Sequence, residues 1–223
     1  MQLLQFTDSA FPVGTFSFSN GLETAAYEKI VTNKATLQDF ARSQAWQAAF
    51  TDGIAALHSF RGARKDNEEE IIRSDRELML SKMNDEARVM LCRMGKKLAE
   101  LGVRLFPEDG LIKEWLDRIN EGLTPGMYPV AQGLMFERAG LSEKELFFSH
   151  QYGVINMVVS AALRCVRVSH YDTQEILFDL GKESERLYEE VKNMRLDEMN
   201  AFFPELDVLA SLHEKGTQRM FMS

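Results

Sequence analysis

Basic residues are in deficit in this chain: 26 Lys and Arg stand against 34 Asp and Glu, a formal net charge of −8. A nucleic-acid binder needs a basic face to displace counterions from phosphates, so the balance argues against one. Cysteine is scarcer still. Cys92 and Cys165 are far apart, form no CxxC pair and sit in apolar helical patterns. They read as reduced thiols of a cytoplasmic protein, not as a disulfide framework. Long apolar runs are missing too. The most apolar stretch, 154–168, is shorter than the ~20 residues a membrane span needs and carries Arg164 and Arg167, so a buried helix is expected there. The opening MQLLQFTD has no basic region and meets Asp8 too early for a signal peptide.

Catalytic signatures are equally sparse. Gly14 and Gly21 are not followed by Lys-Ser/Thr, so there is no phosphate loop, and GxSxG is absent. The histidines are His58, His150, His170 and His213. No two have the i,i+4 spacing of a helical zinc pair, and there is no HExxH. Each reads first as a helix residue with local partners. The twelve methionines fall mostly on helical stripes, where they fill core gaps. No catalytic residue, metal ligand or cofactor site is expected.

What is present is helix after helix. Leu37, Phe40, Ala41, Ala45, Ala48 and Ala49 recur at helical spacing, as do Ala87, Met90, Leu91, Met94, Leu98 and Leu101, and Ile176, Leu180, Leu187, Val191 and Met194. Thr36 offers an N-cap, and Ser142 with Glu145 and Asp172 with Glu175 have capping-box spacing. No period-two alternation persists long enough for a strand. The expectation is an all-α, single-domain bundle of roughly eight to ten helices with a flexible C-terminal tail. A short first helix ends near Ile30, and a long one runs from Leu37 towards Ala63 with a bend at Asp52-Gly53. Others are expected over 72–82, 84–102, 110–121, 128–140, 143–169 and 173–201. DNEEE at 66–70 reads as a solvated loop or a first helical turn. The helical domain is assigned to 1–204 and a partner-binding tail to 205–223.

Two stretches stand out. Residues 8–23 read DSAFPVGTFSFSNGLE. Pro12 and Gly14 favour a tight turn across Phe11 to Gly14, and Asn20 with Glu23 can start a helix at Gly21. Phe11, Phe16 and Phe18 surround that turn. They read either as a clamp seating the N-terminal segment on the body or as an aromatic-rimmed protein contact. Residues 204–223 read PELDVLASLHEKGTQRMFMS. Leu206, Leu209 and Leu212 form a small apolar face that Gly216 would end. The Arg219-Met220-Phe221-Met222 end reads as a frayed terminus or as a segment that orders on a partner.

Taken in order, these residues resemble the urease accessory protein UreF family. The front of the likeness is Leu3-Leu4-Gln5, Asp8-Ser9-Ala10-Phe11-Pro12, Gly14, Phe16, Ser19 and Gly21-Leu22-Glu23. The middle is Arg88, Gly95, Tyr128-Pro129-Val130, Gly133 and Ala161-Ala162-Leu163-Arg164. The back is Pro204, Leu206-Asp207, His213-Glu214, Arg219, Phe221 and Ser223.

The resemblance implies a non-catalytic, cytoplasmic, dimeric scaffold. It would join the D/H-type urease accessory protein, recruit the G-type GTPase, govern productive GTP use and serve nickel delivery to apo-urease. The partner-binding residues implied are Phe11, Pro12, Gly14, Phe16, Phe18, Ser19, Gly21, Leu22, Glu23, Asp207, Leu212, His213, Glu214, Arg219, Met220, Phe221 and Ser223. The chain departs from the family pattern at Phe18 and Met127, where histidine is usual, and at Met222, where arginine is frequent. The first two departures remove candidate nickel ligands. One alternative is a metallochaperone holding nickel through His213 and Glu214, although adjacent helical residues point about 100° apart. Another is an enzyme using Asp8, Ser9 or Glu23, for which the sequence offers only the ionisable groups themselves.

Overall fold

The computed structural model describes residues 1–8, 10–13, 18–200 and 203–214; the side chains of His213 and Glu214 lie outside the description. The elements are α1 (Gln2–Thr7), α2 (Leu22–Tyr27), α3 (Lys34–Ala48), a π-helical turn (Ala49–Gly53), α4 (Ile54–Arg64), α5 (Glu68–Ser81) and α6 (Asp85–Leu105). They continue as α7 (Gly110–Asn120), α8 (Tyr128–Arg138), α9 (Glu143–Cys165), α10 (His170–Gly181), α11 (Ser184–Val191), a 3-10 turn (Leu196–Glu198) and α12 (Pro204–Glu214). The described residues contain no strand, and the fold is all-α as expected.

The caps explain where the boundaries moved. Ser142 and Glu145 form the expected capping box. At α3, however, the cap is Asn33, whose side chain accepts from the Thr36 amide while Thr36 Oγ1 accepts from the Asn33 amide. Thr36 is the inner member of the box. At α10 the box is Ser169 with Asp172, again one turn before the expected start. Asn67 caps α5, so Glu68, Glu69 and Glu70 occupy its first turn, where the helix dipole favours acids. The single helix expected over 173–201 is broken into α10, α11 and the 3-10 turn. The bend expected at Asp52-Gly53 falls in the π-helical turn, which links α3 to α4 without ending the helix.

Central in the bundle is α9, which packs against α2, α3, α8, α10 and α11. It starts where expected, at 143, and ends four residues before the expected 169. At 23 residues, with a mean hydropathy of 1.2 in its most apolar window, it is long and apolar enough to cross a membrane. More than half of that window is buried among neighbouring helices, which is the setting of a core helix. Cys92 and Cys165 are free, half-buried thiols. Burial pushes both up to about 11, so they stay protonated at neutral pH.

Two glycines explain how closely the helices approach. A Cβ at Gly133 of α8 would lie 2.6 Å from the Ala56 carbonyl oxygen and 2.8 Å from the Phe60 nitrogen of α4. At Gly95 of α6 a Cβ would overlap the Gly126 carbonyl. The loop that Gly95 admits is fixed from below by Asp75. Its buried carboxylate accepts from Thr124 Oγ1 at 2.6 Å and from the Gly126 and Met127 amides at 2.7 and 2.6 Å. Burial pushes this carboxyl up to about 6 despite the three donors.

Gly133→Ala is expected to destabilise the protein by roughly 1–3 kcal/mol, because backbone must move. Gly153→Ala, in the middle of α9 with nothing within 4 Å of its Cβ position, should stabilise by up to ~1 kcal/mol. Urea denaturation checks both. Stabilisation by both would show that helix propensity, not close approach, governs these positions, and destabilisation by both would show that Gly153 is crowded too.

Candidate functional site

The N-terminal segment turns at Asp8 as well as at Phe11–Val13, where the Phe11 carbonyl accepts from the Val13 amide at 2.7 Å; Gly14, the far end of the expected turn, lies outside the described residues. Asp8 Oδ1 accepts from the Ala10 amide at 2.7 Å, and the Asp8 carbonyl accepts from the Phe11 amide at 3.0 Å. The turn therefore starts at Asp8, in the manner of an Asx turn. Phe11 stacks edge-on against Phe6 at 5.6 Å, and Phe6 meets Phe136 at 5.5 Å, tying the segment to α8. Farther on, Asn20 and Gly21 take positive φ values of 50° and 79°. Gly21, not Asn20, is the N-cap of α2, and no side-chain cap bond forms there. The Asn20 carbonyl instead accepts from Gln44 Nε2 of α3 at 2.8 Å.

This reversal brings the front of the chain against its far end. A Cβ at Gly21 would lie 3.0 Å from the Ala210 nitrogen and 3.3 Å from Leu209 Cβ in α12. Leu22, Leu206 and Leu209 share one buried cluster with Leu37, Ile155 and Val158. Asp207 joins the two ends to the body: it accepts from Asn84 Nδ2 at 2.8 Å and from Gln47 Nε2 at 3.4 Å. Gln47 Oε1 in turn accepts from the Phe203 amide at 3.2 Å.

Beneath this roof lies a cavity of about 150 Å³, walled by the N-terminal segment, α3, α6, α8, α9 and α12. Its floor is polar. Asp52, buried on the π-helical turn, pairs with Lys82 at the end of α5, and Thr51 Oγ1 donates to Asp52 Oδ2 at 2.8 Å. Burial alone would raise the Asp52 carboxyl, but the Lys82 ammonium and the Thr51 hydroxyl hold it below the usual carboxylate range. Across the cavity, His150 of α9 has Nδ1 2.8 Å from Gln132 Oε1, and Gln132 Nε2 donates to Tyr128 Oη at 3.1 Å. Burial lowers the His150 pKa; Lys82 lowers it further, and Asp52 opposes. Burial likewise raises the Tyr128 phenol. The ring of His150 is therefore neutral at pH 7.

The structure separates the expected contact residues. Phe18, Ser19, Gly21 and Leu22 are buried, so they seat the segment and are not surface groups of this chain. Phe11, Glu23 and Asp207 are half-buried, while Pro12 and Leu212 are exposed. Of the apolar face expected in the tail, Leu206 and Leu209 point inward and Leu212 is 51% exposed. Residues 205–214 of that tail lie in α12. Gly14, Phe16, Arg219, Met220, Phe221 and Ser223 fall outside the described residues, as do the side chains of His213 and Glu214. Among the described residues no group of three or more His, Cys, Asp or Glu is placed to hold a metal ion. The polar floor escaped sequence reading. Its only signal is polar residues, Asp52, Gln132 and His150, on helix faces that are otherwise apolar.

Fold and site together define a class: a helical bundle whose polar centre is roofed by both ends of its own chain. The comparisons narrow it. The family model UreF matches residues 31–181. Urease accessory protein UreF 2 of Brucella canis is 42% identical over 223 residues, covering 100% of this chain and 91% of that protein. Urease accessory protein UreF 1 of Brucella melitensis is 42% identical, covering 100% of this chain and 92% of that one. Urease accessory protein UreF of Yersinia enterocolitica is 40% identical over 221 residues, covering 99% and 96%. The chain belongs to the UreF family of urease accessory proteins.

A neutral buried histidine makes stability depend on pH. Because the folded pKa of His150 lies below the ordinary value, the unfolded chain takes up the proton first as pH falls. Stability from this group is complete above about pH 6.5 and is lost as pH falls through that value towards the lower folded one. Asp75 titrates in the opposite sense, since a raised carboxyl pKa favours the fold as pH falls below about 6. The slope must therefore be read as a difference. Urea midpoints between about pH 7 and 5.5 should fall more for the wild type than for His150→Gln. Parallel curves would mean that His150 is not held neutral.

Proposed function

We propose that this protein is a non-catalytic scaffold of urease maturation, cytoplasmic and dimeric. In this reading it bridges the D/H-type accessory protein and the G-type GTPase, governs use of GTP by that GTPase, and serves nickel delivery to apo-urease. The observation that carries the reading is the meeting of the two family-like ends on one face, with exposed apolar surface beside them. Met83, Pro204, Val208 and Leu212 line a groove of about 350 Å³ on the outer side of α12. Met83 is 71% exposed and Val208 58%. Apolar side chains gathered at such a groove mark an interaction site more often than a bare surface.

Residues 215–223 continue from the end of α12. Arg219, Met220, Phe221 and Ser223 are proposed to engage the D/H-type protein together with Asp207, Leu212, His213 and Glu214. Burial of Leu212, Met220 and Phe221 would offset the entropy of ordering the segment, and Arg219 could meet a carboxylate or backbone carbonyls. Phe11, Pro12 and Glu23 extend the contact at the front. Phe18, Ser19, Gly21 and Leu22 support it from beneath, and Gly14 and Phe16 belong to the same motif. For the dimer, α10 offers Tyr171 and Phe178, 83% and 71% exposed and two helical turns apart.

Because Leu206 and Leu209 are core residues, the informative truncation removes only 215–223. Co-expressed with the cognate D/H-type protein, the shortened chain and Leu212→Asp should each lose at least about tenfold in captured partner, about 1.4 kcal/mol. Helical content should stay unchanged by circular dichroism. Capture at wild-type levels by both would sink the docking assignment. Separately, Tyr171→Asp with Phe178→Asp should shift the mass measured by light scattering from dimer to monomer. A dimer that survives the pair would place the interface elsewhere.

A further inference from the structure

Two buried polar atoms, on residues that line the cavity, find no partner in the protein. With Nδ1 directed at Gln132 Oε1, whose amide nitrogen is committed to Tyr128, the His150 ring carries its proton on Nδ1 and presents a bare lone pair at Nε2. That nitrogen is buried and has no hydrogen-bond partner. The neighbouring Ser149 Oγ is also buried and unpartnered. A buried polar atom left dry is costly, because it has given up its hydrogen bonds to water for nothing. Both residues line the 150 Å³ cavity, which Asp52, Lys82, Gln132 and Tyr128 also border. An apolar void stays empty, but a polar one with two to four partners per molecule and more than ~10–15 Å³ for each takes water.

We propose that the cavity is a built hydration site, in which a small cluster of ordered water donates to His150 Nε2, bonds Ser149 Oγ and runs on to the Asp52–Lys82 pair. On the floor Lys82 already neutralises Asp52, so the pair itself asks for no free ion. The acceptor, the hydroxyl and the carboxylate ask for a molecule that both donates and accepts. Entry is open, because the lining continues past Asn20 to the exposed Tyr152 and Arg164 at the surface. The cluster also explains the roof. Asp207, Asn84 and Gln47 border the cavity on that side with side-chain amides and a carboxylate, groups that tolerate water at their inner edge. This inference stands apart from the scaffold reading and does not depend on any partner.

The full-length protein tests it in two ways. Long-range proton–nitrogen NMR of the histidine rings should show one ring with its proton on Nδ1 and an Nε2 resonance displaced by an accepted hydrogen bond. Water relaxation dispersion should show long-lived internal water that decreases in Ser149→Ala and in His150→Phe. A non-hydrogen-bonded Nε2, or a dispersion unchanged by both substitutions, overturns the proposal. Where His150→Phe folds poorly, a crystal structure of the wild type decides: solvent density within hydrogen-bond distance of Nε2 supports the site, and an empty cavity refutes it.

Discussion

A carboxylate and an ammonium leave water together at the Asp52–Lys82 pair, whose side chains are both nearly buried. Removing one partner from such a pair typically costs 3–5 kcal/mol, because the other charge is left buried alone. The pair dictates much around it. It needs the π-helical turn, which carries both Thr51 and Asp52 inward. It also needs α5 to end at Lys82, whose carbonyl is held by Arg88 Nε at 2.9 Å. His150 is kept neutral partly because a second cation beside Lys82 would be unfavourable. The long α3–α4 rod, the α5–α6 corner and the central α9 thus meet around one electrostatic condition.

Packing does the remaining work at close quarters. Where α8 crosses α4, contact is so near that Gly133 must lack a side chain, and Ser59 Oγ donates across the crossing to the Val130 carbonyl at 2.8 Å. The Tyr128-Pro129-Val130 motif begins α8 immediately after the loop held by Asp75. Family-like residues that carry no chemistry, Gly95, Gly133 and Gly21 among them, are explained by these approaches alone. His58 plays a comparable part outside, with its two ring nitrogens directed at Glu70 and the Met194 carbonyl, joining α4, α5 and the chain after α11.

Much of this was legible in the residues. Apolar stripes placed most helices because burial of one face imposes the 3.6-residue period. Caps were misread by one turn at α3 and α10, because both members of those boxes are residues able to cap. α1 has no capping side chain, and nothing announced it. The cavity was not legible at all. Asp52, Lys82, Gln132 and His150 come from four elements spread over about a hundred positions, so no spacing relates them. Nor could the sequence say that Phe18 and Leu22 face inward while Leu212 faces outward. That depends on α12 returning to the front of the chain, a contact with no local signature.

That return has a consequence for how the protein is made. Leu22 and Ala25 belong to a cluster completed by Leu206 and Leu209, so one wall of the core is supplied by the last of the described helices. At roughly 5–20 residues per second, most of the chain is made while this wall is missing. A nascent chain must therefore carry an open apolar face until α12 has been made. Its first helices complete their packing only when that helix folds back onto them.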